Sequence, residues 1–121
     1  MKRVNTSRLI DIALVEFADI VDDAYDPDIN ELRILLVDGS FVDIWWSLKL
    51  ERRYSFHWER KSLDGKIYRH DNAPHKRWRR VKTYPRYFHN GSEDEVVESD
   101  LSESPEEALR QFLTFIRNKI T

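Results

Sequence analysis

From Leu32 onward the apolar residues recur at every second position, and this period of two limits the possible folds more than any other feature of the chain. Leu32, Ile34 and Leu36 lead into Asp38-Gly39. Beyond it Val42, Ile44, Trp46, Leu48 and Leu50 alternate with Asp43, Ser47 and Lys49. Two alternating runs joined by Asp-Gly predict a β-hairpin, because successive strand side chains point to opposite faces and glycine accepts the positive φ of a tight turn. The alternation continues through Tyr54, Phe56 and Trp58, which leaves Arg53, Ser55, His57 and Glu59 for the other face of the sheet. A second turn at Asp64-Gly65 returns the chain into Lys66-Ile67-Tyr68-Arg69-His70, and the pattern is that of an antiparallel meander. Asn72-Ala73-Pro74 ends this strand, since proline cannot donate to a ladder. His75 to Pro85 reads as a loop or irregular edge, and Tyr84 to His89 as another short strand. Asn90-Gly91 then makes a turn before Glu95-Val96-Val97-Glu98.

The meander is bracketed by two segments of helical period. Between Thr6 and Asp23, Leu9, Ile10, Ile12, Ala13, Leu14, Phe17, Ile20 and Val21 form a wide apolar stripe, with Thr6 or Ser7 available as N-cap and Asp26-Pro27-Asp28 as the following turn. At the other end, Ser104-Pro105-Glu106-Glu107 combines a capping serine, a proline at the first helical position and an acidic first turn. Ala108, Leu109, Phe112, Leu113, Phe115, Ile116 and Ile120 supply the apolar face of that helix. The expected fold is α+β: an antiparallel meander of about five strands packed against an N-terminal and a C-terminal helix, with residues 1–121 as a single domain.

Composition narrows the chemistry. There is no cysteine, which excludes disulfides, thiolate metal sites and a cysteine nucleophile. No apolar run approaches the roughly 20 residues that span a bilayer, and Asp11 and Glu16 interrupt any signal-like stretch after Met1-Lys2-Arg3. A cytoplasmic protein without a membrane partner is expected. The formal charge of −2 conceals a strong polarity, because 12 of the 20 Lys+Arg and only three acids, Glu59, Asp64 and Asp71, lie between Arg52 and His89. That segment carries +9 and the remainder −11, and all four histidines and eight of the fifteen aromatics also fall within it. Such a local field favours a polyanion even when the net charge is near zero. The acidic remainder either orients that polyanion by repulsion or is an ordinary solvated surface.

Phe56-His57-Trp58, Asp64-Gly65, Ile67, Arg69, Asp71-Asn72-Ala73-Pro74-His75, Thr83, Pro85 and His89 carry a family resemblance. Over residues 54–120 the chain resembles the TumE-type toxins, small proteins encoded beside a helix-turn-helix antitoxin. Their pattern runs F-H-W, D-G, I-x-R-x-D-N-A-P-H-H and T-F-P-H-H-x-H, followed by an acidic stretch and a final helix. The resemblance implies a toxin with a cognate helix-turn-helix antitoxin as partner. The chain departs from the pattern at Lys76, where the family has a second histidine, and at Arg86 and Tyr87, where it has paired histidines. Those departures thin a histidine-rich metal site, and no pair of histidines has helical metal-ligand spacing, so neither metal nor cofactor is expected.

The residue types suit RNA cleavage without a metal. Histidine titrates near neutral pH and can take the 2′-hydroxyl proton or protonate the leaving 5′-oxygen; His75 and His89 are the expected pair, with His57 third. Arg69 can contact phosphate oxygens in bidentate fashion, and Asp71 can orient a histidine by accepting its second ring proton. Arg60, Lys76, Arg77, Arg79, Arg80, Lys82 and Arg86, with Trp78 among them, are the expected nucleic-acid contacts, combining cations for phosphate with an aromatic for stacking. Each reading has a plainer competitor. Asp71-Asn72 suits an Asx-type turn, Arg69 suits an ion pair with Glu59 or Asp64, and Trp45, Trp46 and Trp58 suit sheet packing. Trp78 can equally pack beneath a flap while its cations reach solvent. Three functions are therefore weighed: an RNA-cleaving toxin, a non-enzymatic module that binds nucleic acid or an antitoxin segment, and a metal-assisted hydrolase using His57, Asp71, His75 and His89. An edge strand and surface tryptophans also permit a homodimer.

Overall fold

The alternating segments pair in the order in which they occur. A computed structural model describes residues 3–120, so Met1 and Lys2, at the start of the expected amino-terminal stretch, and Thr121 lie outside the described residues. Seven strands form one antiparallel sheet in the order β1 (Val21–Tyr25), β2 (Glu31–Leu36), β3 (Phe41–Trp46), β4 (Tyr54–Arg60), β5 (Lys66–Asp71), β6 (Tyr87–Gly91) and β7 (Val96–Glu98). Helix α1 (Thr6–Glu16) precedes the sheet, a single turn α2 (Lys61–Asp64) joins β4 to β5, and α3 (Pro105–Ile120) follows it. Gly39 and Gly65 take φ of 92° and 77° at the two Asp-Gly turns, a region that costs glycine no Cβ clash.

The core lies between one face of the sheet and helices α1 and α3. Ile34, Ile44, Phe56 and Trp58 meet Leu9, Ile12, Leu109, Phe112 and Ile116 in a single buried cluster. Trp58 donates its indole N–H to Ser40 Oγ at 2.8 Å, so its polar atom is satisfied within that core. The opposite face is built differently. Its β4–β6 half also contains buried residues, including Ile67, Tyr87 and His89, but these stand apart from the main cluster.

The meander and the C-terminal helix are as expected; four details differ. There are seven strands rather than about five, and the one not foreseen is β1, since the expected helix to Asp23 stops at Glu16 and its last residues form that strand. Phe17 C=O accepts from both Ile20 and Val21 N–H, closing a turn, and Ile20 and Val21 reach the same core from there. Helical spacing from Phe17 therefore imitated a continuing helix. Asn5, rather than Thr6 or Ser7, caps α1, accepting from Arg8 N–H at 3.1 Å. The expected strand through Leu50 ends at Trp46, because Ser47 Oγ accepts from Lys49 and Leu50 N–H and turns the chain.

Candidate active site

Strand register brings the polar residues together. His57 of β4 lies opposite Arg69 of β5, and Arg69 opposite His89 of β6, all three on the face away from the helices. Directly paired side chains start about 4.5–5.5 Å apart, so the imidazoles flank one guanidinium. Glu59 and Asp71 follow His57 and Arg69 by two residues and share their face.

The contacts fix how each ring is presented. Glu59 Oε1 lies 3.1 Å from His57 Nε2, and Arg69 Nη1 lies 3.5 Å from His57 Nδ1. Arginine can only donate, so Nδ1 carries the lone pair and Nε2–H donates to Glu59. Across the guanidinium, His89 Nδ1 lies 3.0 Å from the Glu93 carbonyl, to which it donates. Its Nε2 is 3.4 Å from Arg69 Nη2 and 3.2 Å from Asp71 Oδ2. That nitrogen accepts from Arg69 when neutral and donates to Asp71 when protonated. Arg69 Nε binds Asp71 at 2.9 Å, while Nη1 and Nη2 hold both carboxylate oxygens of Glu93 at 3.2 and 2.5 Å. Burial pushes the Asp71 carboxyl pKa up, but hydrogen bonds from His89 and Arg69 outweigh it and hold it below the usual carboxylate value. The Glu93 side chain is 52% exposed, against 22% for Arg69 and 6% for His89. Glu93 is thus a solvent-facing carboxylate seated where an anion would reach the guanidinium.

The remaining expected residues divide into three groups. His75 is exposed, outside the hydrogen-bonded cluster; its Nδ1 caps the 3-10 turn Lys76–Trp78 by accepting from Arg77 N–H. The imidazoles flanking Arg69 are therefore His57 and His89, not His75 and His89. Trp78 is partly buried, with its ring 6.3 Å from His75 and 6.4 Å edge-on to His89, while Arg77 covers it at 4.6 Å. Lys76, Arg77, Arg79, Arg80 and Lys82 point outward and are exposed, although Arg77 also pairs with Asp94. Arg60 and Arg86 are held inside instead. Arg60 pairs with Asp38 and Asp64 beside the Trp58 ring, and Arg86 donates to Leu101 C=O and lies by Tyr54 OH. Asp71 Oδ1 does accept from Ala73 N–H as in an Asx turn, in addition to its ion pair. Arg69 takes neither Glu59 nor Asp64 as partner, since these bind His57 and Arg60. Of the three tryptophans expected to pack, Trp58 is buried and Trp46 leans on the core, but Trp45 stands 37% exposed on the polar face.

The roles of two participants were missed in the sequence. Glu59 was already placed on the face of His57 by their spacing of two on a strand, and that spacing was the signal for its role. Glu93 had only its place in the β6–β7 turn, four residues after His89, to single it out. Among the described residues no group of three or more His, Cys, Asp or Glu side chains is placed to hold a metal ion, and no helix is long and apolar enough to cross a membrane.

The sequence model described as toxin TumE matches residues 5–120, nearly the whole chain. The chain belongs to the TumE toxin family. The match extends upstream of the motif segment to include α1 and the first strands, so the entire TumE fold described above, rather than its histidine-bearing half, is the family unit. A toxin role and an antitoxin partner follow from membership. No curated protein and no solved structure matches this TumE-family chain.

Proposed function

We propose that this TumE-family toxin acts on RNA as an endoribonuclease at the His57–Arg69–His89 row. The observation that carries the proposal is the guanidinium held between the two imidazole rings while its outer N–H groups grip an exposed carboxylate. A phosphodiester offers the same pair of oxygens as Glu93 and takes its place on Arg69. His57, oriented by Glu59, then removes the 2′-hydroxyl proton. The 2′-oxygen bonds to phosphorus, the P–O5′ bond breaks, and protonated His89, stabilised by Asp71, gives its proton to the 5′-oxygen. Arg69 balances the charge that accumulates on the phosphorane.

Binding without cleavage is the second reading, and one observation favours it: His89 is almost sealed and both its ring nitrogens are already hydrogen-bonded. Incubation of the purified protein with single-stranded and structured RNA, with and without chelator, distinguishes the two. Cleavage is expected to survive chelator, to leave 2′,3′-cyclic phosphate ends, and to fall about 10²–10⁴-fold in His57→Ala and in His89→Ala, with His75→Ala near wild type. RNA retained on the protein but never cut would leave only the binding role, and loss with chelator would move the chemistry to a metal.

A further inference from the structure

The polar face extends beyond the row of imidazoles. A groove of about 570 Å³ runs from His57 and Arg69 across β3 and β2 to Tyr25 on the β1 edge, within the roughly 300–1,000 Å³ range of small-molecule sites. Its walls include two aromatic rings that the core does not need, since Tyr25 is 41% and Trp45 37% exposed. Its floor carries Arg33 and Asp43, joined by two hydrogen bonds of 2.7 Å each. That pair is self-neutralised, which leaves Glu31, opposite Trp45 in the register, as the one uncompensated charge lining the groove. No hydrogen-bond or ion-pair partner of the Glu31 carboxylate is found among the described residues.

Such a surface suits neither phosphate nor an apolar peptide. A lone carboxylate repels the phosphate backbone and accepts from N–H donors, while exposed aromatic rings favour a flat heterocycle. Of the four RNA bases, guanine alone presents two adjacent donors, N1–H and the N2 amine, spaced to meet both oxygens of one carboxylate. Adenine and cytosine present a single amine beside an acceptor nitrogen, and uracil one N–H between two carbonyls. Through Ser55, Trp45 aligns with Asp71, so it lies two strand spacings across the sheet and two residues along it from Arg69, roughly 12 Å between backbones, with Glu31 one strand farther. That is a span for a nucleotide together with the reach of the arginine and glutamate side chains. We propose that this groove is a nucleobase subsite that takes guanine, with Glu31 reading its Watson–Crick edge, Trp45 and Tyr25 flanking the ring, and the attached phosphate on Arg69. The proposal rests on the reading of this toxin as acting on RNA, and it adds a base preference that the His57–Arg69–His89 row does not supply.

The test uses mononucleotides, whose binding requires no cleavage. Calorimetric titration of the full chain with guanosine, adenosine, cytidine and uridine monophosphates, as 3′ and 5′ isomers, is expected to give about tenfold tighter binding for guanosine. Inosine monophosphate, which lacks the N2 amine, should fall between guanosine and the rest. Glu31→Gln, isosteric and at the start of β2, should reduce the guanosine preference to about twofold or less. Trp45→Ala should weaken all four nucleotides together, because stacking tolerates any base. Circular dichroism melting verifies that both variants fold. Equal binding of the four nucleotides, or a guanosine preference that persists in Glu31→Gln, overturns the subsite even if RNA is cleaved. A guanosine preference lost in Glu31→Gln, in a protein that neither binds nor cuts RNA, upholds the subsite and rejects the RNA reading alone.

Discussion

Arg69 and His70 are adjacent in sequence, yet the pleat sends them to opposite faces, and with that to opposite electrostatic fates. His70 enters the core, stacks on Phe88 at 4.3 Å and places Nδ1 2.7 Å from Ser99 Oγ. Burial there disfavours the imidazolium and lowers its pKa to about 4, with Arg86 and His89 adding to the effect while Asp100 and Asp71 oppose it. The folded-state pKa lies below that of the unfolded chain, near 6.5. Between those values the unfolded chain binds more protons, so stability rises with pH. The contribution is complete above pH 6.5 and is lost as pH falls toward 4. At about 1.4 kcal/mol per pH unit it amounts to roughly 3 kcal/mol. Urea midpoints measured from pH 7.5 to 4.5 should therefore decline steeply in the wild type and much less in His70→Gln. Parallel declines would mean that another group sets the slope.

The element scale shows what the sequence could and could not disclose. Helix α3 was legible because its cap, its N1 proline and its apolar stripe all agree locally. The alternation of β2 to β5 was legible for the same reason, and with it the shared face of His57 and Arg69. Strand β1 was not, because Ile20 and Val21 satisfy helical spacing and strand burial alike, and only the turn at Phe17 decides between them. The pairing of His57 with His89, in place of His75, depends on the β5–β6 register, which no local pattern encodes. Glu93 depends on the β6–β7 turn that swings it back over β5. The backbone of that turn is held by His89 Nδ1 on the Glu93 carbonyl, but the Glu93 side chain is half exposed, so its carboxylate can yield Arg69 to another anion without unfolding the turn. Glu93→Gln should accordingly raise affinity for single-stranded RNA by about two- to fivefold, read by fluorescence anisotropy at fixed salt. Unchanged affinity would show that the nucleic-acid phosphate does not replace Glu93 on Arg69.

Across the whole molecule, charge is divided unevenly over the sheet. Acidic residues gather at both edges, with Asp22, Asp23, Asp26, Asp28 and Glu31 in or beside β1 and Glu93, Asp94, Glu95 and Glu98 in or beside β7, whereas the flap between β5 and β6 exposes five cations. Arg69 sits between that flap and the acids of β1. On the proposed reading, a polyanion is held on the flap side and repelled from the β1 side, and only an uncharged part of it, such as a base, enters the groove there without penalty. This polarity is invisible in the net charge of −2, but it has a thermodynamic signature. Binding of single strands releases counterions, and log K falls with log salt by about 0.7 per phosphate contacted. If Arg79 and Arg80 each meet one phosphate, the double variant Arg79→Ala/Arg80→Ala should flatten that slope by about 1.4. Arg110→Gln, on the helical face and bound to Glu16 and Glu107, should leave it unchanged. Anisotropy titrations between 50 and about 200 mM salt measure both. An equal effect of the two substitutions would mean that RNA responds to total charge rather than to the flap, and the division of the sheet into a backbone-holding side and a base-reading side would not hold.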